Sequence, residues 1–357
     1  MSSAIEDDPG PYDPRTRQEM TVGRSKHSSA VLATAICLGG VVLPPKAYAI
    51  EPAFDPYSST QPGAQPSTNA AATPASPSFF TFSDSVISYR YESDTKQPGN
   101  AGGAGRAIDG RSAPKNIITF ANTNAWEYGT NFFNIDFIKS GSQDPSGYKF
   151  PFNTIPTGEG ALEYFAVYRG TLGLNAMTGT KAFAIPGLIK EVSIAYGFNN
   201  DKDSRSFRND QLDLLGGINL AFDVPAGYVS LAAQAYKSYN HNALIPARRT
   251  TVYDWAPELE LTYGIPLPFE SVPLSLNGYI VMIWPRGNDD FGNATRLQFQ
   301  SRTDLVLDIG KLIYNQPNRL NAFVGFYYYQ NKFGADQRFI PGANQKSFLA
   351  GVALHLN

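Results

Sequence analysis

Ala294-Thr295-Arg296-Leu297-Gln298-Phe299-Gln300-Ser301-Arg302-Thr303-Asp304-Leu305-Val306-Leu307-Asp308-Ile309 changes character at nearly every residue. Its odd positions give Thr295, Leu297, Phe299, Ser301, Thr303, Leu305, Leu307 and Ile309. From Arg296 the even positions give Gln298, Gln300, Arg302, Asp304 and Asp308, interrupted by Val306. Side chains alternate across a strand, so one face is largely apolar and the other polar and ionic. At roughly 3.3 Å per residue a strand over 294–309 crosses a tilted bilayer. Strands of soluble sheets usually stop at about 5–6 residues. An apolar face toward lipid and a charged face toward water is the pattern of an outer-membrane β-barrel.

The same alternation recurs from Phe82 onward in twelve segments, near 83–94, 115–125, 127–140, 159–175, 189–199, 210–223, 226–239, 253–264, 272–284, 294–310, 319–331 and 346–356. In 210–223, Leu212, Leu214, Ile218, Leu220 and Phe222 oppose Asp213, Asn219 and Asp223. In 272–284, Leu274, Leu276, Ile280, Met282 and Trp284 oppose Ser275, Asn277, Tyr279 and Val281. Long polar connections such as 95–114 and 141–158 alternate with shorter turns such as Asp223-Val224-Pro225-Ala226-Gly227. The connection 176–188 is longer than the other turns, and Ile185-Pro186-Gly187 marks a bend in it. An even strand count brings both termini to one side, and long loops outside with short turns in the periplasm are the expected asymmetry. The predicted fold class is all-β: a single-chain antiparallel transmembrane β-barrel of twelve strands over 81–357. The last segment ends in Leu356-Asn357 rather than in an aromatic residue.

Composition agrees with this reading. The net charge is −2, which gives no sign of a nucleic-acid polymer as partner. The 20 Tyr and 23 Phe suit interfacial girdles. Arg24, Lys26 and His27 precede an apolar stretch from Ala30 to Leu43 and then Ala47-Tyr48-Ala49. That order predicts a signal peptide over 20–49, cleaved before Ile50, with export to the outer membrane of a Gram-negative envelope. Residues 1–19 form an upstream extension, and Met20 stands as an alternative start. Residues 50–80, dominated by Pro, Ala, Ser, Thr and Gln, are read as a disordered periplasmic linker. The single cysteine, Cys37, lies in the apolar stretch, so the mature chain has no disulfide and no thiol chemistry.

Three stretches on the early strands resemble the Tsx-like, nucleoside-specific channel family of outer membranes. They are Ile87-Ser88-Tyr89-Arg90-Tyr91, the run Trp126-Glu127-Tyr128-Gly129 through Asn131-Phe132-Phe133-Asn134-Ile135-Asp136, and Glu163-Tyr164-Phe165-Ala166-Val167-Tyr168-Arg169. Asn331-Lys332-Phe333-Gly334 adds a weaker match. The resemblance spreads over most of 83–357 and is strongest in the first four strands. It implies a narrow twelve-stranded barrel passing small polar solutes, nucleosides in the best-known members.

Recognition of an uncharged nucleoside needs aromatic faces for stacking and hydrogen-bonding side chains for base edge and ribose. The inward candidates are Arg90, Asp136, Glu163, Arg169, Glu258, Glu260, Arg296, Gln298, Arg302 and Asp304, with Tyr236 and Tyr279 as stacking partners. Both charge signs occur, which fits a neutral or zwitterionic solute; the same residues also suit ion pairs that brace a barrel wall. Catalysis is not expected. His241 reads as a solvated loop residue, and His355 sits too near the end of the last strand to anchor a triad. The acidic runs Asn199-Asn200-Asp201-Lys202-Asp203 and Asp289-Asp290 read as polar loop tips rather than calcium loops, so no metal or cofactor is expected. The expected partners are outer-membrane lipid, the barrel-insertion machinery and the solute, and the chain is read as a monomer. A general porin and a plugged structural or adhesive barrel stay open as alternatives; an autotransporter-like barrel is a third, although 50–80 is short for a passenger.

Overall fold

The computed structural model describes residues 79–98, 110–141, 160–203, 210–241, 250–269, 271–289 and 291–356. The expected signal peptide, the linker up to residue 78, and most of loops 95–114 and 141–158 lie outside the described residues.

Each alternating segment forms a strand. In chain order they are β1 (Phe80–Glu92), β2 (Lys115–Trp126), β3 (Gly129–Ser140), β4 (Leu162–Gly173), β5 (Ile189–Asp203), β6 (Asp210–Phe222) and β7 (Tyr228–His241). There follow β8 (Thr251–Val252), β9 (Ala256–Pro266), β10 (Leu274–Ile283), β11 (Gln298–Asp308), β12 (Leu320–Gln330) and β13 (Asn344–His355). β8 is a two-residue pair on the rim of β7, which pairs along most of its length with β9. The wall is therefore twelve long strands, all antiparallel to their neighbours. It closes where β1 meets β13, with Val86 opposite His355 and Glu92 opposite Leu349.

The alternation is inverted relative to a soluble protein. Along β1, Ile87 and Tyr89 are 45% and 44% exposed, whereas Ser88 and Arg90 are 2% and 6% exposed. Apolar side chains point out of the barrel and polar ones into it, as a strand between lipid and lumen requires. No described helix is long and apolar enough to cross a membrane, which says nothing of a crossing by strands. At the rim of the shorter turns, Phe79 stacks on Trp126 at 5.5 Å and Trp126 meets Tyr128 edge-on at 5.4 Å, a patch suited to a membrane interface.

Two expectations are corrected. The segment 294–309 is not one strand: β11 begins only at Gln298. The Thr295 hydroxyl donates to Gly287 O (2.7 Å) and accepts from the Arg286 N–H (2.8 Å), which folds 294–297 into the preceding loop. At the far end Asp308 caps α1 (Ile309–Tyr314) by accepting from the Lys311 N–H at 2.8 Å. The run Asn199–Asp203 is not a loop tip but the last five residues of β5. Tyr164 donates to Asn200 Oδ1 (2.8 Å), and Asn200 Nδ2 donates to Gln211 O (2.9 Å), so neighbouring strands satisfy the Asn200 amide. The bend at Ile185-Pro186-Gly187 is as expected: Gly187 has φ 74° and its N–H donates to Asp223 Oδ2 at 3.1 Å.

In the short-turn half of the barrel, Val86, Ala121, Phe132, Val167, Val306, Phe323, Leu349 and Ala353 form one buried apolar cluster. Its members come from seven adjacent strands, β11 through β13 and β1 through β4. A Cβ on Gly351 would lie 2.4 Å from the Phe323 ring, so glycine is what lets that ring lie inward across β13. The inward residues of the remaining arc are small and polar: Ser193, Asn219, Ser230, Thr262 and Asn277, all buried.

The lipid-facing assignment predicts that Val324→Arg, on an exposed mid-strand position of β12, costs about 2–4 kcal/mol. Urea unfolding in lipid vesicles measures this. A cost no larger than that of Val324→Ala would remove the assignment.

Candidate functional site

The long-loop half of the lumen holds a cavity of about 220 Å³. Its walls are inward positions of the strands, brought to one level by the antiparallel registers. Arg90, Asp136, Glu163, Arg169, Tyr236, Glu258, Glu260, Tyr279, Gln298 and Arg302 all line it.

One network centres on Arg90. Its Nη2 donates to Asp136 Oδ2 (2.7 Å), its Nε to Glu92 Oε1 (3.0 Å) and its Nη1 to Thr119 Oγ1 (2.9 Å). The Thr119 hydroxyl in turn donates to Asp136 Oδ1 at 2.6 Å. Lys115 pairs with Glu163 at 3.0 Å on the same side. Arg302 reaches along its own strand to Asp304, Nη2 to Oδ2 at 2.8 Å, and lies over the Phe323 ring at 5.8 Å. This pair joins the charged level to the apolar cluster below it. Asp304 is fully buried, and a Cβ on Gly325 would come within 2.0 Å of its Oδ1. It therefore sits against the wall and holds Arg302 rather than lining the cavity.

A second network lies on the opposite arc. Arg169 Nε donates to Glu260 Oε2 (3.0 Å), and its Nη1 donates to Tyr168 O (3.0 Å) and Asn199 Oδ1 (2.9 Å). Glu258, two residues before Glu260 on the same face of β9, is 2% exposed. Tyr236 is equally buried, and Arg286 donates to its hydroxyl at 3.5 Å. The Arg286 guanidinium lies 4.5 Å from the Tyr253 ring centre and 5.4 Å from that of Tyr236. Tyr279 accepts from Gln300 Nε2 at 2.9 Å, and the Tyr329 hydroxyl donates to Gln298 Oε1 at 2.8 Å.

Arg296 is placed elsewhere. It belongs to the loop before β11 and pairs with Asp336 at 2.9 Å on the long-loop rim, where Arg338 also holds Asp336 at 2.6 Å. His355, read as too near the end of the last strand to anchor a triad, is held on both ring nitrogens: Nδ1 lies 2.7 Å from Asp84 Oδ2 and Nε2 lies 3.0 Å from Asn321 Nδ2, with the ring buried at the short-turn end.

Other cavity residues escaped sequence reasoning. Glu92 and Lys115 lie at strand ends, and Tyr327 and Tyr329 alternate inward on β12. Asp213 shows its inward side by alternation but carries no further signal. Lys332 and Phe333 enter from a loop. Asn331 and Phe333 hold left-handed φ values of 50° and 60°, uncommon for residues other than glycine. Asn331 is fixed by donating to Leu297 O (2.8 Å), and Lys332 Nζ donates inward to Gln345 Oε1 (2.6 Å) and Lys96 O (2.9 Å). No periodicity reveals a loop that folds back into a lumen.

No family model and no curated protein matches the chain. Solved structures similar to it are outer-membrane barrels at low identity. The KdgM porin in complex with disordered oligogalacturonate is 8% identical, with 76% of this chain and 99% of that chain covered and a TM-score of 0.36. An outer-membrane channel from Pseudomonas putida F1 is 8% identical, with 79% and 100% covered and a TM-score of 0.40. Outer-membrane phospholipase A from Escherichia coli is 13% identical, with 76% and 96% covered and a TM-score of 0.36. At such values neither ligand nor activity transfers to this chain, and one barrel architecture hosts pores and an enzyme alike.

Arg302→Ala leaves Asp304 buried without its cation and is expected to destabilise the barrel by about 3–5 kcal/mol, with Arg302→Ala/Asp304→Ala recovering part of the loss. Equilibrium unfolding of both variants checks it; an unaffected single variant would show that Arg302 braces nothing. On the rim, the hydrogen bond from Arg338, with the charges of Arg338 and Arg296, holds the Asp336 carboxyl well below the ordinary carboxylate range. A depressed folded value means a contribution present above the unfolded pKa and lost only as pH falls through the folded one. Hydrogen exchange protection of 331–343, corrected for intrinsic rates, is expected to hold from pH 7 to about pH 4 and to fall at every pH in Asp336→Asn. A loss in the native chain across that range would contradict the brace.

Proposed function

We propose that the chain is an outer-membrane barrel that lets small polar solutes diffuse through its lumen, nucleosides by the resemblance of its first four strands. The observation that carries the reading is the cavity of about 220 Å³, walled by carboxylates, guanidinium groups, amides and tyrosines within a closed sheet. Fixed charges of both signs facing each other suit a dipolar, uncharged or zwitterionic solute. Tyr279, Tyr327 and Tyr329 offer ring faces and hydroxyls for a flat base, and Gln298 and Gln300 offer amides for its edge. The chemistry required is recognition rather than bond breaking, so the barrel is read as non-enzymatic.

Passage toward the short-turn rim would need the small polar side chains of Ser193, Asn219, Ser230, Thr262 and Asn277, buried beside the apolar cluster, to part. That cluster favours a second reading, a plugged barrel that does not transport. Planar-bilayer conductance separates the two. The proposal predicts discrete openings that adenosine blocks in a concentration-dependent way and glucose does not. Conductance indifferent to adenosine would leave a general porin, and no conductance at all would leave the plugged barrel.

A further inference from the structure

Charges around the cavity are not evenly matched. On the arc from β11 to β4 each of Glu92, Asp136, Glu163 and Asp304 has a cation within 3.0 Å. On β6 and β9 the match fails. Arg169 is engaged with Glu260 and with oxygens of Tyr168 and Asn199. Arg286 is turned toward Tyr236 and toward Phe333 O, to which its Nη2 donates at 3.3 Å. Asp213 is left to accept from neutral amides, Asn199 Nδ2 at 3.3 Å and Gln211 Nε2 at 2.9 Å. Glu258 Oε2 receives no hydrogen bond among the described residues, although the residue is 2% exposed.

A second observation comes from β7. Gln234, directly opposite Glu258 in the β7–β9 ladder, is 6% exposed, and neither its amide nitrogen nor its amide oxygen has a partner among the described residues. A buried carboxylate oxygen without a donor costs free energy, as does a buried carboxamide unsatisfied at both ends. They stand side by side on one inward face, Glu258 in the cavity lining and Gln234 opposite it in the ladder but outside that lining.

We infer that Glu258, Asp213 and Gln234 form a subsite for the cationic, N–H-rich end of a small solute, an ammonium or guanidinium group. The inference rests on the lumen being open to solutes, as proposed above. A guanidinium presents several donors in a planar fork, which suits Glu258 Oε2 and Gln234 Oε1, and its charge adds to those of Arg169 and Arg286 opposite the three carboxylates Asp213, Glu258 and Glu260. Tyr236, beside Glu258 on the cavity wall, adds an aromatic face. An anionic group here would meet Asp213, Glu258 and Glu260 and would be repelled.

The test is calorimetric titration of the folded full-length barrel in detergent micelles with methylguanidinium chloride, using methylurea as a neutral probe of the same shape. Saturable binding of methylguanidinium alone is expected. Glu258→Gln should weaken it about tenfold or more, the scale of one lost charge-assisted hydrogen bond. If that variant does not fold, Asp213→Asn gives the same reading. Equal behaviour of the two probes would overturn the subsite, as would binding unchanged in the variants. Methylguanidinium binding without bilayer conductance would keep the subsite and remove the channel. Conductance without that binding would do the reverse.

Discussion

Closure of the hydrogen-bonded ladder sets the terms for every other contact in this molecule. A strand inside a bilayer has no water to satisfy an unpaired backbone edge, and each orphaned group costs several kcal/mol. The pairing of β1 with β13 removes the edge, with seven consecutive partners from Val86 to Glu92. Once the sheet is closed, alternation leaves no freedom: every second side chain faces lipid and every other one the lumen. The pattern is therefore written to two different solvents. Ile87, Tyr89, Phe348 and Val352 meet one of them, and Ser88, Arg90, Ser347 and Ala353 are withheld from it.

The interior then divides into two levels with different physics. In the short-turn half, packing dominates, and Phe132, Phe323 and Val306 bury apolar surface against one another inside the barrel. In the long-loop half, buried charges dominate, and each must find a partner or be left at a cost. Arg90 with Asp136 and Arg302 with Asp304 meet that demand within the wall. Among the described residues Glu258 Oε2 receives no hydrogen bond, which makes one arc of the lumen chemically distinct from the other. Arg302 joins the levels, paired to Asp304 while lying over the Phe323 ring.

The wall was legible in the sequence because strand alternation is a local, two-residue rule. Arg90, Arg302 and Glu260 could be placed inward without knowing what they touch. Arg296 shows where the rule stops: it keeps the parity of Arg302, but the strand begins only at Gln298, after Thr295 has bonded back to Gly287. Asn199–Asp203 fails for the opposite reason, since a polar strand end above the bilayer has the composition of a loop. Lys332, Phe333 and Arg286 enter the lumen through loop backbone that no period describes. The withdrawal of Asp304 from the cavity depends on Gly325, a neighbour only in the folded register. Long-range contacts of this kind are invisible to a reading that proceeds residue by residue.

The barrel is read as solute-accessible in one half of its lumen and filled by side chains across much of the other. Single-cysteine accessibility along β12 tests it most directly, in a background with Cys37→Ser. A membrane-impermeant thiol reagent is expected to modify cysteine at Tyr327 and Tyr329 rapidly. Cysteine at Val324 and Phe326 should resist it and respond instead to a lipid-dissolved quencher, and cysteine at Phe323 should respond to neither. Reagent reaching position 323 as fast as 327, or no alternation between 324 and 327, would contradict the account.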